Sequence, residues 1–215
     1  MKPQFIVIEG GEGSGKSTLV RVLKESLGDA VTVTREPGGS PYAELIRTAA
    51  IKNPLAKDAP PETTLCLMFA ARFDNVANII IPSLKKGIPV IADRFDGSSY
   101  AYQISSQSSL LEDLFWSMRG KLMVTPDLYV FVDVDPEEGL KRARGRNQSL
   151  DMGKQYDHFD DREVVFHQNV RKGYLKFFEK IKESGTPYIV VDANRPLETV
   201  KRDFLVQMKK QLGIK

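Results

Sequence analysis

Cysteine is nearly missing from this chain. Cys66 stands alone among 215 residues, so no internal disulfide can staple the fold, and the expectation is a protein of the reducing cytoplasm. The apolar neighbours Leu65, Leu67 and Met68 predict a buried helix position for that thiol. Long apolar runs are missing too. The run from Leu65 to Ala71 stops at Arg72, and the start of the chain offers one lysine and about five apolar residues before Glu9, too little for a spanning helix or a secretion signal. The chain is therefore expected to be neither secreted nor membrane-bound. Charge of one sign is not in excess: 31 Lys and Arg stand against 28 Asp and Glu, a net +3, which gives no broad basic footprint and no reason to expect nucleic acid as a partner. Repeats, low-complexity tracts and linkers are absent, so 1–215 is read as one α/β domain.

What is present begins with Phe5 to Thr18, FIVIEGGEGSGKST. The apolar run Phe5 to Ile8 has the length and β-branching of a buried parallel strand, and it breaks into Gly10-x-x-x-x-Gly15-Lys16-Ser17. That spacing is the phosphate loop, whose glycines let backbone N–H groups turn toward phosphate oxygens. Gly10, Gly11, Glu12, Gly13, Ser14, Gly15, Lys16, Ser17 and Thr18 are thus the predicted contacts to a nucleotide's phosphates. Lys16 brings charge to the transferred phosphate and Ser17 an oxygen to Mg²⁺. Leu19, Val20, Leu23 and Leu27 continue with helical spacing, so a helix N-terminus points at the same phosphates.

Further along, Val31 to Thr34 is read as a strand ending in the rigid turn Arg35-Glu36-Pro37-Gly38-Gly39, at the sheet edge where open α/β folds bind ligands. Pro41 opens a helix carrying Arg47, which either faces solvent or the site. Asn53 to Pro61 holds three prolines and reads as a loop. From Pro61, a helical pattern places Leu65, Met68, Phe69, Arg72, Phe73 and Val76 on one flank, and a charge such as Arg72 on an apolar flank requires a partner. Ile88 to Ala92 is a strand ending in Asp93 and Arg94, the carboxylate that holds Mg²⁺ and a phosphate-binding cation; Asp133, after Leu128 to Val132, competes for the metal role. Asp96 to Gln103, DGSSYAYQ, offers a wall of hydroxyl, amide and aromatic groups for a base and sugar. Phe115 and Trp116 lie on an amphipathic helix of core or subunit-interface character. Gly139 to Asn147 is a basic run leading into the polar stretch Gln148 to Asp157, read as a cover that brings Arg144 or Arg146 to the phosphates late. Tyr188 to Val191 and Leu197 to Leu212 supply a fifth strand and a closing helix. The fold class is a doubly wound five-stranded parallel sheet of the P-loop NTPase type.

Seven segments in order, IEGGEGSGKST (8–18), TREPGGS (34–40), MFAAR (68–72), DRF (93–95), SSYAYQ (98–103), PDLYVFVDVDPEEGLKRAR (126–144) and FHQNVRKGY (166–174), resemble bacterial thymidylate kinases over nearly the whole chain. The resemblance implies ATP- and Mg²⁺-dependent phosphorylation of dTMP to dTDP by a homodimer. It also implies that Glu12 holds the sugar 3′-hydroxyl and that Arg94 and Arg47 hold the acceptor phosphate. Arg72 would read the thymine edge, and Ser98, Ser99, Tyr102 and Gln103 would form the base and sugar wall, with Tyr102 excluding a 2′-hydroxyl. Two positions depart from the pattern. Met68 stands where a stacking phenylalanine is usual, with Phe69 or Phe73 as substitutes, and His158 stands where an arginine follows the cover, a segment placed at about 144–160. Alternative readings are a kinase for another nucleoside monophosphate or a P-loop nucleotide switch. The guanine-reading Asn-Lys-x-Asp and the Asp-x-x-Gly that GTPase switches need do not occur.

Overall fold

The computed structural model describes residues 4–105, 108–149 and 163–213. Strand β1, Phe5–Glu9, leads through the phosphate loop into helix α1, Lys16–Leu27, then β2, Thr32–Arg35, and α2, Pro41–Arg47. Helices α3, Pro61–Asn75, and α4, Ile81–Lys85, precede β3, Val90–Asp93, and the short α5, Asp96–Ser99. After α6, Glu112–Arg119, come β4, Leu128–Asp133, α7, Pro136–Ser149, α8, Val164–Glu183, β5, Tyr188–Asp192, and α9, Leu197–Leu212. All strand pairings are parallel, in the order β2-β3-β1-β4-β5, so β1 is central and flanked by neighbours reached in opposite directions. A crevice opens at such a point beyond the strands' carboxyl ends.

The strands are apolar along their length because both faces are covered. Phe5 and Val7 of β1, with Tyr129 and Phe131 of β4, pack under α3, α6 and α8, while Ile6, Ile8, Val130 and Val132 pack against α1 and α9. Phe177 of α8 is fully buried, its ring centre 5.5–5.8 Å from those of Tyr100, Tyr129 and Phe178. Truncating such a ring to alanine costs about 3–5 kcal/mol, so α8 is fastened to the sheet by packing. Register then aligns the chemistry: Ile8 is opposite Asp93 and Arg35 is also opposite Asp93, which brings the ends of β1, β2 and β3 to one edge.

Three expectations change in three dimensions. The loop from Asn53 contains a 3₁₀ turn, Pro54–Asp58, started by Asn53 Oδ1 accepting the Leu55 N–H at 3.0 Å. The helical pattern from Pro61, expected to carry Val76 on its apolar flank, changes at that residue; Val76–Ile80 widen into a π turn just before Pro82, which would break the ladder. Cys66 is exposed rather than buried, and Phe73 lies on the same outer stripe. The buried stripe is instead Thr64, Leu65, Met68, Phe69, Ala71, Arg72 and Asn75. The continuous helical stretch Pro61–Lys85 is long and apolar enough by composition to cross a membrane, but half of its most apolar window is buried within the protein, as in a core helix.

Candidate active site

The phosphate loop turns on two glycines with left-handed backbone, Gly13 at φ +65° and Gly15 at φ +85°. A side chain on Gly13 would put its Cβ 1.8 Å from the Gly139 carbonyl oxygen, so the loop lies directly on the first turn of α7. That turn is fixed by Asp135 Oδ1, which accepts from the N–H groups of Glu137 and Glu138. Ser14 Oγ donates to Gly11 O at 2.9 Å and closes the loop on itself. Lys16, in the first turn of α1, is buried, with Nζ 3.5 Å from Gly11 O. Burial and the neighbouring Arg94 charge push its pKa down, an environment that an arriving phosphate would relieve.

Ser17 Oγ donates to Asp93 Oδ2 at 2.7 Å, and Asp93 Oδ1 is buried without a partner. A hydroxyl beside a carboxylate with one unused oxygen is a donor set that suits Mg²⁺ carried in on phosphates. No cluster of three or more His, Cys, Asp or Glu with metal-binding geometry occurs among the described residues. Asp133, the competing carboxylate, accepts from Arg171 Nε at Oδ1 and from Arg171 Nη2 at Oδ2, at 2.7 Å each.

Among the described residues Arg94 is the non-glycine residue with positive φ, +72°, a conformation that costs energy and persists only where surroundings enforce it. Glu9 does the enforcing. Fully buried at the end of β1, its Oε1 accepts the N–H groups of Phe95 at 2.9 Å and Ser98 at 3.1 Å, and its Oε2 accepts from Ser98 Oγ at 2.6 Å. Burial pushes the Glu9 pKa up, against the hydrogen bonds and the Arg94 charge. The guanidinium so aimed donates from Nη1 to Gly10 O and Tyr174 OH, both at 2.9 Å, and from Nη2 to Glu12 Oε1 at 2.6 Å. Tyr102 OH also donates to Glu12 Oε1, at 3.0 Å, and its ring centre lies 5.2 Å from the guanidinium carbon. Burial pushes the Glu12 carboxyl up, but Arg94, Lys16 and the Tyr102 hydroxyl together outweigh it and hold the pKa at about 2.

Arg72 finds the partner its position demanded. Its Nε donates to Glu36 Oε2 at 2.7 Å, and Nη2 donates to Phe95 O at 2.8 Å and Ser99 Oγ at 3.0 Å. Burial raises the Glu36 pKa to about 7, with Arg72 and Asn75 only partly offsetting it. Arg72 Nη1 is buried and untied. Between these two arginines lies a cavity of about 220 Å³, lined by Glu12, Lys16, Ser17, Asp93 and Arg94 at the phosphate-loop end, with Arg47, Met68, Arg72, Ser98, Ser99, Tyr102 and Gln103 completing the wall. Arg47 faces the site, donating from Nη1 to Pro37 O at 2.9 Å.

Phe69, expected beside Met68, does not line the cavity. It is fully buried beneath it, edge-to-face with Phe115, and its ring carries the Arg72 guanidinium at 4.6 Å. Helical spacing puts positions 68 and 69 about 100° apart, so one lines the cavity while the other enters the core. Phe73 faces outward and does not line it either. Arg144 is exposed on α7 and Arg146 belongs to the same helix; residues 150–162, with His158 and most of the expected cover, lie outside the described residues. The lining residues that motif reading did not single out are Arg35, Glu36, Pro37, Ile51 and Phe95. Glu36 had a visible signal in the rigid turn after β2, but its pairing with Arg72 crosses 36 positions and leaves no local trace.

A phosphate loop on the central strand, a carboxylate on the neighbouring strand, and a separate arginine-walled cavity between the loop and α3 define a nucleoside monophosphate kinase. Residues 8–204 match the thymidylate kinase family. The thymidylate kinase of Chlamydia caviae is 37% identical over 200 residues, covering 90% of this chain and 91% of the relative, and that of Buchnera aphidicola subsp. Schizaphis graminum is 38% identical over 219 residues, covering 99% and 97%. The crystal structure of thymidylate kinase from Ehrlichia chaffeensis superimposes with a TM-score of 0.72 at 26% identity, covering all of both chains. The chain belongs to the thymidylate kinase family, and the activity of that family is ATP-dependent phosphorylation of dTMP to dTDP.

Proposed function

We propose that the cavity holds dTMP with its phosphate toward Arg94 and its base toward Arg72, while ATP lies over Gly10 to Thr18. The observation that carries this reading is the pair of arginines at the two ends of one cavity, each with a restricted direction of reach. Arg94 and Arg47 bind the acceptor phosphate, Glu12 the 3′-hydroxyl, and Arg72 Nη1 the thymine 4-carbonyl. Ser98, Ser99, Tyr102 and Gln103 wall the base and sugar, and Met68 lies against the ring. Lys16 neutralises charge on the transferred group, and the backbone N–H groups of the loop orient it. Ser17 and Asp93 would hold Mg²⁺, which when bound screens the donor phosphates. In this reading the acceptor phosphate oxygen attacks the γ-phosphorus, the bond to the β-phosphate oxygen breaks, and ADP leaves.

The domain acts as one unit, 1–215, with a cover at about 144–160 that delivers Arg144 or Arg146. The exposed stripe Cys66, Ala70, Phe73 and Ala77 on the outer side of the α3 stretch suits the interface of a homodimer. An exposed free thiol suits the cytoplasm, and neither nucleic acid nor membrane is a partner.

The test is an acceptor panel of dTMP, dUMP, dCMP, dGMP and UMP with ATP. dTMP should give the highest kcat/KM, and a preference for another acceptor would replace this reading with that monophosphate. Lys16→Ala should nearly abolish turnover while leaving folding intact. Of Arg144→Ala and Arg146→Ala, one should lose at least about a hundredfold in kcat with dTMP binding little changed. Near-normal turnover in both, with loss in His158→Ala, would assign the role to the histidine.

A further inference from the structure

The guanidinium of Arg72 carries five N–H bonds, and the protein takes three of them, one through Glu36 and two through Phe95 O and Ser99 Oγ. Its faces lie against the rings of Phe69 at 4.6 Å and Phe95 at 5.1 Å. The two anchors on Nη2 both sit at one end of the group. Glu36 holds the other side, at Nε.

Glu36 is in turn located from two directions. Its N–H donates to Asp93 O at 2.9 Å, which registers it to the end of β3. Its Oε1 accepts from Asn75 Nδ2 at 3.1 Å, and Asn75 Oδ1 accepts from Thr34 Oγ1 at 2.8 Å. Gly39, at φ +93°, lets the chain close over this junction, since a Cβ there would meet Thr34 Oγ1 at 2.2 Å and Asn75 Oδ1 at 2.5 Å. A buried line of hydrogen bonds thus runs from β2 through α3 to the one nitrogen of Arg72 that sets its pivot. Nothing in the transfer chemistry uses Glu36.

We propose that Glu36 is a specificity-determining positioning residue: by holding Arg72 Nε it fixes where Nη1 points, and so makes the cavity distinguish a pyrimidine with a 4-carbonyl from one with a 4-amino group. The proposal rests on the reading that Arg72 faces the base. A fixed donor opposite a 4-carbonyl makes a hydrogen bond, and opposite a 4-amino group it leaves two donors buried face to face. A guanidinium able to pivot escapes that clash and discriminates less.

The experiment is kcat/KM for dTMP and for dCMP across a set of variants, with thermal melting to confirm folding. Glu36→Asp keeps the charge and loses the reach. Glu36→Gln keeps the reach and loses the charge, and an Asn75 amide flip restores its hydrogen bond. Position, not charge, predicts that the dTMP-to-dCMP ratio falls at least about tenfold in Glu36→Asp and Glu36→Ala and stays within about threefold of wild type in Glu36→Gln. The loss should appear mainly in KM for dTMP. Arg72→Ala should collapse the ratio by itself, and adding Glu36→Ala to it should change the ratio no further.

An unchanged ratio in Glu36→Asp alongside collapse in Arg72→Ala overturns the proposal and leaves the base-facing reading standing. An unchanged ratio in Arg72→Ala overturns both. Equal loss in Glu36→Gln and Glu36→Asp overturns the proposal, because reach without charge would then not suffice to set the ratio. If Glu36→Ala fails to fold, Glu36→Asp carries the test.

Discussion

Arg94–Glu12 and Arg72–Glu36 are both arginine–carboxylate pairs on the wall of one cavity, at 2.6 and 2.7 Å, yet their carboxyls are displaced in opposite directions, to about 2 and about 7. The distances do not explain this; the surroundings do. Glu12 has a second cation in Lys16 and a hydroxyl donor in Tyr102, and its side chain keeps 15% exposure. Glu36 has one cation, one amide and 2% exposure, and burial dominates. A buried ion pair recovers its desolvation cost only when enough partners surround it. The phosphate end of the cavity is therefore an electrostatic device with an excess of positive charge, while the base end is a geometric device in which an arginine is held still.

That contrast is sharpened first by Arg94→Ala, which should lower kcat by about 10³-fold or more, because it removes charge placed beside the phosphate loop. The loss should be the same for every acceptor. A loss confined to dTMP would move Arg94 to the base end. Tyr102→Ala should narrow the preference for dTMP over its ribose counterpart by about tenfold in kcat/KM, since a methyl group cannot fill the space of the ring. An unchanged ratio would place sugar discrimination elsewhere.

Stability against pH gives the two carboxyls opposite signs. Glu36, raised from 4.5 to about 7, contributes stability that is fully present below about pH 4.5 and is lost as pH rises through 7. Glu12, lowered to about 2, contributes stability present above about pH 4.5 and lost as pH falls through 2. In metal- and nucleotide-free protein, the Tm of Glu36→Gln should gain on wild type from pH 4.5 to 7. The Tm of Glu12→Gln should trail wild type least at the acid end. Matching trends in the two variants would break the comparison. The smallest effect belongs to an exposed pair, Arg21–Glu25 on α1, with side chains 62% and 60% exposed. Removing Arg21 should change stability by no more than about 0.5 kcal/mol, which calibrates how much burial adds to the other two.

Local sequence determined the pieces whose physics is local. Phosphate binding was legible because Gly13 and Gly15 occupy backbone conformations that glycine adopts without penalty, and the strand before is written as a short continuous apolar run and the helix after in a spacing of three to four. Asp93 and Arg94 were legible because an apolar strand ends in charge. Sequence also stated that Arg72 needs a partner, since an apolar helix flank does not carry a bare charge. Which residue answers was decided only by the sheet order. Register brings Arg35 and Asp93 level, and that sets Glu36 over a helix whose turns had already chosen Arg72, Asn75 and Met68 to face inward and Cys66 to face out. The same is true of Glu9, whose fully buried carboxylate reads in sequence as the end of a strand and in space as the anchor of Arg94's backbone. Hydrogen bonds between groups 36 or 86 positions apart leave no periodicity to read, because they come into being only when the strands have paired.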